Sequence, residues 1–368
     1  MSTLATSHRG LRLPHKRALA VLTGTVVVAL SIGAVVWASV GSTAAPVRHT
    51  ATHEGSLPAT VRTDAGAFTM FSDTRHRVVR PRDIVAGPDG NLWFTAEKNA
   101  VGRITPTGDI DMFTDPAGGL DRPDRIVAAR DGALWVTAIN GRLGRVTTSG
   151  QVTTFAVADD GTSPVGLAAG PDGNVWYTLN GQIGRITPTG QVTTFDGKAA
   201  GVELPAHITA GPDGNLWFTD LNGRIARITP DGQIATFDAT GADVAFPGGI
   251  VTGADGNLWF TSPGSNRIGR ITPDGRIDSF DGAPAGLEEP SAITAGPDGN
   301  LWFTTSNDRI GRITLDGRIT TYKATGAMVR TPFGVTSGPD GNVWFTSLNG
   351  DGIGYLRPAA VAVVTEAG

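Results

Sequence analysis

The sequence predicts an all-β protein: a seven-bladed β-propeller of four-stranded blades, with an N-terminal apolar helix outside the fold. Three observations predict it. First, Trp93, Trp135, Trp176, Trp217, Trp259, Trp302 and Trp344 are spaced by 42, 41, 41, 42, 43 and 42 residues. Second, each lies in a variant of GPDGNLWFT, so residues 81–358 are seven copies of one unit, and a period of this size marks a repeat architecture. Third, every copy carries short alternating apolar stretches between Gly-, Pro- and Asp-rich turns, the pattern of a propeller blade.

The N-terminal region comes first. Residues 18–41 are uncharged and mostly apolar, and they follow Arg9, Arg12, Lys16 and Arg17. This reads as a signal peptide or an N-terminal membrane anchor over residues 1–41, with the body outside. The stretch is long enough to span a bilayer, while the small residues Ala38, Ser39, Gly41 and Ser42 would permit cleavage. Secreted and anchored forms therefore both remain open, and an extracytoplasmic location is expected for either. Residues 42–64 lack periodicity and are rich in Ser, Thr, Ala and Pro, as in a flexible linker.

One repeat illustrates the rest. In the fifth copy an apolar stretch ends at the turn Asp255-Gly256. NLWFTS follows, with Leu258 and Phe260 on one face and Trp259 and Thr261 on the other. RIGRI, the turn Pro273-Asp274-Gly275 and RIDSF give the third and fourth strands. Proline presets φ in such a turn, and glycine accepts the positive φ that other residues resist. The seventh copy lacks its fourth-strand segment, but residues 66–71 match the G-x-I-x-x-F pattern of Gly275–Phe280. They are expected to close the ring as the outer strand of the last blade, giving a propeller over residues 65–358. The tail, residues 359–368, competes for that place or hangs free.

Composition excludes several function classes. There are 51 glycines and no cysteine, which removes disulfides, thiolate chemistry and cysteine-ligated zinc. The net charge is −4 although residues 1–41 carry four bases and no acid, so the remainder is at −8. An acidic body argues against nucleic acid as a partner. The Asp of each GPDG turn supplies one carboxylate where a calcium loop needs several, so it reads as a turn residue. The arginines of IGRI (Arg103, Arg145, Arg185, Arg227, Arg270, Arg312) recur too regularly for a ligand site. They suggest hydrogen bonds to neighbouring-blade carbonyls.

The string P-x-x-I-T-x-G-P-D-G-x-L-W-F-T-x-x-x-x-x-I-G-R-I-T-x-x-G-x-I-x-x-F resembles the repeat of the virginiamycin B lyase (streptogramin B lyase) family across all seven copies. It is also similar in style to other extracytoplasmic propellers, including NHL-type sensor domains. The resemblance implies a seven-bladed propeller whose active member opens a cyclic depsipeptide ester by elimination, with Mg²⁺. If this chain is an enzyme, the resemblance implies a carbon–oxygen lyase. The family pattern opens the last two blades with Pro-His, the final histidine being the general base. Glutamates before the last Pro-His and just beyond the last WF hold the metal. Such a base removes a proton α to a carbonyl while a cation stabilises the resulting charge. Here those openings are Pro290-Ser291 and Pro332-Phe333, Thr331 precedes Pro332, and Ser347 and Leu348 follow Trp344-Phe345-Thr346. No cofactor is expected, Mg²⁺ being expected only where that machinery is present.

Residues after each opening proline, and after each WFT, are expected near the ring's mouth. They give a candidate ligand-binding set of Arg82, Asp83, Glu97, Asp124, Arg125, His207, Asp220, Ser291 and Phe333. Arg82, Asp83, Asp124 and Arg125 read most simply as a solvated ion-pair cluster. His207 lies one place beyond the family histidine position, which in a strand turns it to the other side. Paired with Asp220 it could act in acid–base or metal chemistry; alone it is a satisfied interior histidine. Three functions stay open: a monomeric binding or scaffold propeller taking a small molecule or peptide at its mouth, a divergent lyase or other enzyme acting on a cyclic peptide or ester, and an extracytoplasmic sensor domain. A membrane partner enters only through residues 18–41, if uncleaved.

Overall fold

The computed structural model describes the backbone of residues 47–50, 52–54 and 60–65, and residues 67–358 apart from 74–76, 116, 117, 159 and 324–328. The apolar segment 18–41 and the tail 359–368 lie outside the described residues. Among the described residues, no helix is long and apolar enough to cross a membrane.

Seven antiparallel sheets follow one another along the chain, and in the first six the four repeat strands lie in sequence order. Blade 5 is Ile250–Thr252, Leu258–Ser262, Arg267–Ile271 and Ile277–Asp281. Helical content among the described residues is limited to 3-10 turns such as Lys198–Ala200. Blade 7 takes three strands from the last repeat, and Phe68–Asp73 pairs beside Gly352–Leu356 as its fourth. Phe71 stacks on Trp344 at 5.7 Å and 9°, as Phe280 stacks on Trp259 at 5.4 Å and 17°. The N-terminal strand thus supplies both the hydrogen-bonded edge and the aromatic partner that the last repeat lacks.

The expected linker differs in one respect. Its backbone forms Val47–Thr50, Thr52–Glu54 and Thr60–Ala65, which add fifth strands to blades 2, 1 and 7. An outer strand offers unpaired N–H and C=O groups that any extended segment can satisfy, so this pairing leaves little trace in side-chain pattern.

The core lies between blades. Each repeat tryptophan is fully buried and packs against the next sheet: Trp217 sits with Leu258, Phe260 and Ile271 of blade 5, and Trp344 of blade 7 with Leu92, Phe94 and Ile104 of blade 1. The same contact therefore runs round the ring and through its closure. Burying an indole removes roughly 150–250 Å² from water, worth about 4–6 kcal/mol at 25 cal/mol per Å². The third-strand glycine makes room for the facing Phe, since a Cβ on Gly269 would stand 2.1 Å from the Phe260 ring.

Turn aspartate and third-strand arginine complete each tryptophan's surroundings. Trp259 Nε1 donates to Asp255 Oδ1 at 3.1 Å, and Asn257 Nδ2 donates to Asp255 Oδ2 at 2.8 Å. Burial raises the Asp255 carboxyl, but these hydrogen bonds outweigh it and hold the group below its ordinary value. Arg270 lies over the Trp259 ring at 5.4 Å. Arg185, Arg227 and Arg270 also donate to Pro230, Pro273 and Leu315 carbonyls of the following blade. The periodic Asp and Arg are accordingly structural.

Candidate functional site at the mouth of the ring

The loops that join second to third strands, and each fourth strand to the next blade, share one face. Around its centre the threonines of the WFT segments fasten neighbouring blades. Thr178 Oγ1 donates to Ala206 O at 2.7 Å, Thr219 to Gly248 O at 2.8 Å, Thr261 to Ser291 O at 2.7 Å and Thr304 to Phe333 O at 2.9 Å. Thr95 reaches Asp124 O in the same way, and Thr346 reaches Arg82 O. Many of these hydroxyls also accept an N–H from their own blade, as Thr219 does from His207 N at 3.1 Å. In six blades the residue after the opening proline is thus pinned by its carbonyl. The recurring Thr after each Trp was the sequence signal for this ring, although its role was not legible.

Five of the expected residues meet on this frame. Phe333 of blade 7 is buried, with the guanidinium carbons of Arg82 and Arg125 at 5.0 and 5.2 Å from its ring centre. Asp124 accepts a hydrogen bond from Arg82 Nε and lies 3.9 Å from Arg125 Nε. Arg125 Nη2 reaches His207 Nε2 at 3.1 Å. The cluster therefore joins blades 7, 1, 2 and 4. Asp83 adjoins it, accepting from Ile126 N at 3.2 Å and Ile84 N at 3.0 Å.

Burial separates this cluster from the solvated ion pairs expected. The Arg82 and Arg125 side chains are only 15% and 12% exposed, so their charges interact with much less screening than surface pairs. Burial raises the Asp124 carboxyl, but Arg125 and Arg82 outweigh it and leave it below its ordinary value. Burial lifts the Asp83 carboxyl above its ordinary value, against the pull of Arg125 and two backbone N–H groups. Burial and then Arg125 push the His207 imidazole well below its ordinary value, with Asp124 opposing them. His207 is thus neutral. A guanidinium can only donate, so Nε2 is the acceptor and the ring proton sits on Nδ1.

The remaining expectations separate from this cluster. Glu97 pairs with Arg80 at 2.9 Å in an outer loop. Asp220 is fully buried, and its oxygens accept from Glu203 N at 2.8 Å, Leu204 N at 3.2 Å and Asn222 N at 2.9 Å. It fixes a loop and forms no acid–base pair with His207. Ser291 contributes its backbone to the threonine ring. The expectation that His207 faces away from the family position is also corrected. Alternation holds within a regularly paired strand, but register shifts between Pro205 and Ile208 and between Pro332 and Val335. Such bulges re-aim side chains, so residues one and two places after the proline converge.

The positions that the family pattern assigns to a metal do not fit a divalent cation. Thr331 Oγ1 accepts from Asn349 Nδ2 at 2.8 Å, and Ser347 Oγ bonds the Arg330 backbone at 2.8 and 3.0 Å. Among the described residues, no group of three or more His, Asp or Glu side chains could hold a metal ion.

Residues 50–202 and 180–365 each match the family model described as the virginiamycin B lyase family. Among solved structures, a catalytically inactive histidine-to-alanine virginiamycin B lyase from Staphylococcus aureus with quinupristin is 32% identical, with a TM-score of 0.72. That match covers 79% of this chain and 98% of the other. A streptogramin B lyase is also 32% identical with a TM-score of 0.72, covering 80% of this chain and 99% of its own. The extracellular domain of a hybrid two-component system from B. thetaiotaomicron matches at 15% identity and a TM-score of 0.66, over 78% of this chain and 40% of that one. This last likeness is one of fold alone. No curated protein matches the sequence.

Proposed function

The chain belongs to the virginiamycin B lyase family, and from that premise we propose that it is a ligand-binding propeller that does not carry out the family's elimination. One observation carries the reading: Phe333, which follows Pro332 where the family pattern has its final histidine, is enclosed by Arg82 and Arg125. An apolar ring cannot accept the proton that elimination releases. Thr331 and Ser347 supply no carboxylate for Mg²⁺. His207 does not substitute as base, because its Nε2 is engaged by Arg125.

What remains suits recognition. Two guanidiniums, two carboxylates and a neutral imidazole sit together at the centre of one face. Their positions are set by backbone bonds from the threonine ring, so little ordering is needed when a ligand arrives. A small molecule or peptide at the mouth is the occupant this reading expects. The basic and apolar character of residues 1–41 supports an extracytoplasmic position.

Equilibrium dialysis with mass detection against a set of cyclic and linear peptides, quinupristin included, tests the reading. The chain should retain at least one member, and Arg125→Leu should release it. Retention of none, or equal retention by Arg125→Leu, would overturn the assignment of the mouth cluster as the binding site.

A further inference from the structure

Four large apolar side chains are exposed among the described residues: Ile139, Val165, Leu204 and Phe246, at 36, 40, 36 and 63%. Single exposed apolar residues are ordinary on a protein surface. These four are not scattered. Ile139 follows the second strand of blade 2, and its N–H bonds Asp121 O. Val165 follows the opening proline of blade 3, while Leu204 and Phe246 precede those of blades 4 and 5. They lie on four successive blades, on the face that carries the mouth cluster. Phe246 moreover has φ 54°, a left-handed conformation that an aromatic residue adopts only at a cost.

Charge on these loops is mainly negative. Those leading into blades 2 to 6 carry the exposed acids Asp160, Glu203, Asp243, Glu288 and Glu289, against the exposed bases Arg122 and Lys198. Arg267 reaches Asp243 at 3.5 Å, and Glu203 accepts from Asn222. An anionic bilayer would be repelled by this border. A second copy of the chain would present the same acids to it. Complementarity instead selects a cationic partner.

We propose that the face of blades 2 to 5 docks a cationic amphipathic peptide segment, whose apolar side chains cover Ile139, Val165, Leu204 and Phe246 while its Lys or Arg residues meet Asp160, Glu203 and Asp243. This rests on reading the mouth face as a binding surface, and it names the chemistry that the surface takes. The apolar anchors hold the segment, and the acidic border sets its charge and speeds its approach.

Fluorescence anisotropy on the full chain tests this with three labelled probes: peptides of repeated Lys-Leu-Lys-Phe, Glu-Leu-Glu-Phe and Lys-Ser-Lys-Ser units. Only the first should bind, and added salt should weaken it. The double variant Phe246→Asn, Leu204→Ser should bind at least about tenfold more weakly. Asparagine tolerates the left-handed backbone at 246, so the variant should fold. Glu203→Lys with Asp243→Lys should weaken binding and reduce its salt dependence. Several results would overturn the proposal: no binding of Lys-Leu-Lys-Phe, equal binding of the acidic peptide, undiminished binding by the Phe246/Leu204 variant, or capture of phosphatidylglycerol vesicles in its place. Binding kept by the Phe246/Leu204 variant but lost in Arg125→Leu would also overturn it while leaving the mouth cluster as a ligand site.

Discussion

Replacing His207 with glutamine should flatten the stability of this protein between about pH 7.5 and pH 5. In the folded chain the imidazole is held neutral by burial and by Arg125, against the weaker pull of Asp124. In the unfolded chain it titrates near its ordinary value of about 6.5. Below that value the unfolded state takes up a proton that the folded state refuses, so stability is fully present above pH 6.5 and is lost as pH falls. The slope approaches 1.36 kcal/mol per pH unit. If His207 stays neutral throughout, the loss by pH 5 reaches about 2 kcal/mol. Glutamine keeps an acceptor for Arg125 Nη2 and removes the titration. Asp83, raised in the folded state, contributes with the opposite sign, but it is present in both proteins and cancels in the difference. Urea denaturation of both proteins across this range is the assay. Wild type should lose about 2 kcal/mol more than His207→Gln. Parallel pH profiles would refute the buried, neutral histidine and with it the Arg125–His207 bond.

Other consequences can be checked by denaturation or solubility. Phe71→Ala should destabilise by about 3–5 kcal/mol in urea unfolding, because Phe71 is the aromatic partner of Trp344 at the closure. Deleting residues 1–72 should expose the edge of Gly352–Leu356 and cause aggregation, whereas deleting residues 1–59 should leave a soluble ring; light scattering separates the two. Tyr177 stands where most repeats have Phe, and its buried hydroxyl has no hydrogen-bond partner among the described residues. Tyr177→Phe should therefore stabilise by about 1–3 kcal/mol and raise Tm. The carboxyls of Asp89, Asp172, Asp213 and Asp255 are held low once hydrogen bonds from Asn and Trp outweigh burial. Their contribution is present above about pH 4 and should disappear as pH falls further, so a second, acid-side drop in Tm is expected; Asp255→Asn should reduce it.

Much of this architecture is legible in the sequence, because each repeat carries its packing instructions locally. The tryptophan spacing gives the blade count, and the match between residues 66–71 and Gly275–Phe280 gives the closure. The added edge strands at residues 47–65 are not legible, since edge pairing uses backbone groups common to every residue. The mouth was read in part. Of the residues expected there, Arg82, Asp124, Arg125, His207 and Phe333 contact one another, and Asp83 adjoins them. Their convergence depends on bulges after Pro205 and Pro332, where strand alternation fails. The role of Asp220 was hidden for a different reason. A carboxylate that caps a loop looks in sequence like one aimed at a ligand.

The central claim is that the family fold persists here without the family's elimination. Incubating the full chain with quinupristin, with and without Mg²⁺, and following the antibiotic by liquid chromatography with mass detection tests it most directly. The account predicts intact cyclic antibiotic at the level of the protein-free control under both conditions, because Phe333 follows Pro332 where the family pattern has its base. Linear product formed above that control, and lost in His207→Ala, would contradict it.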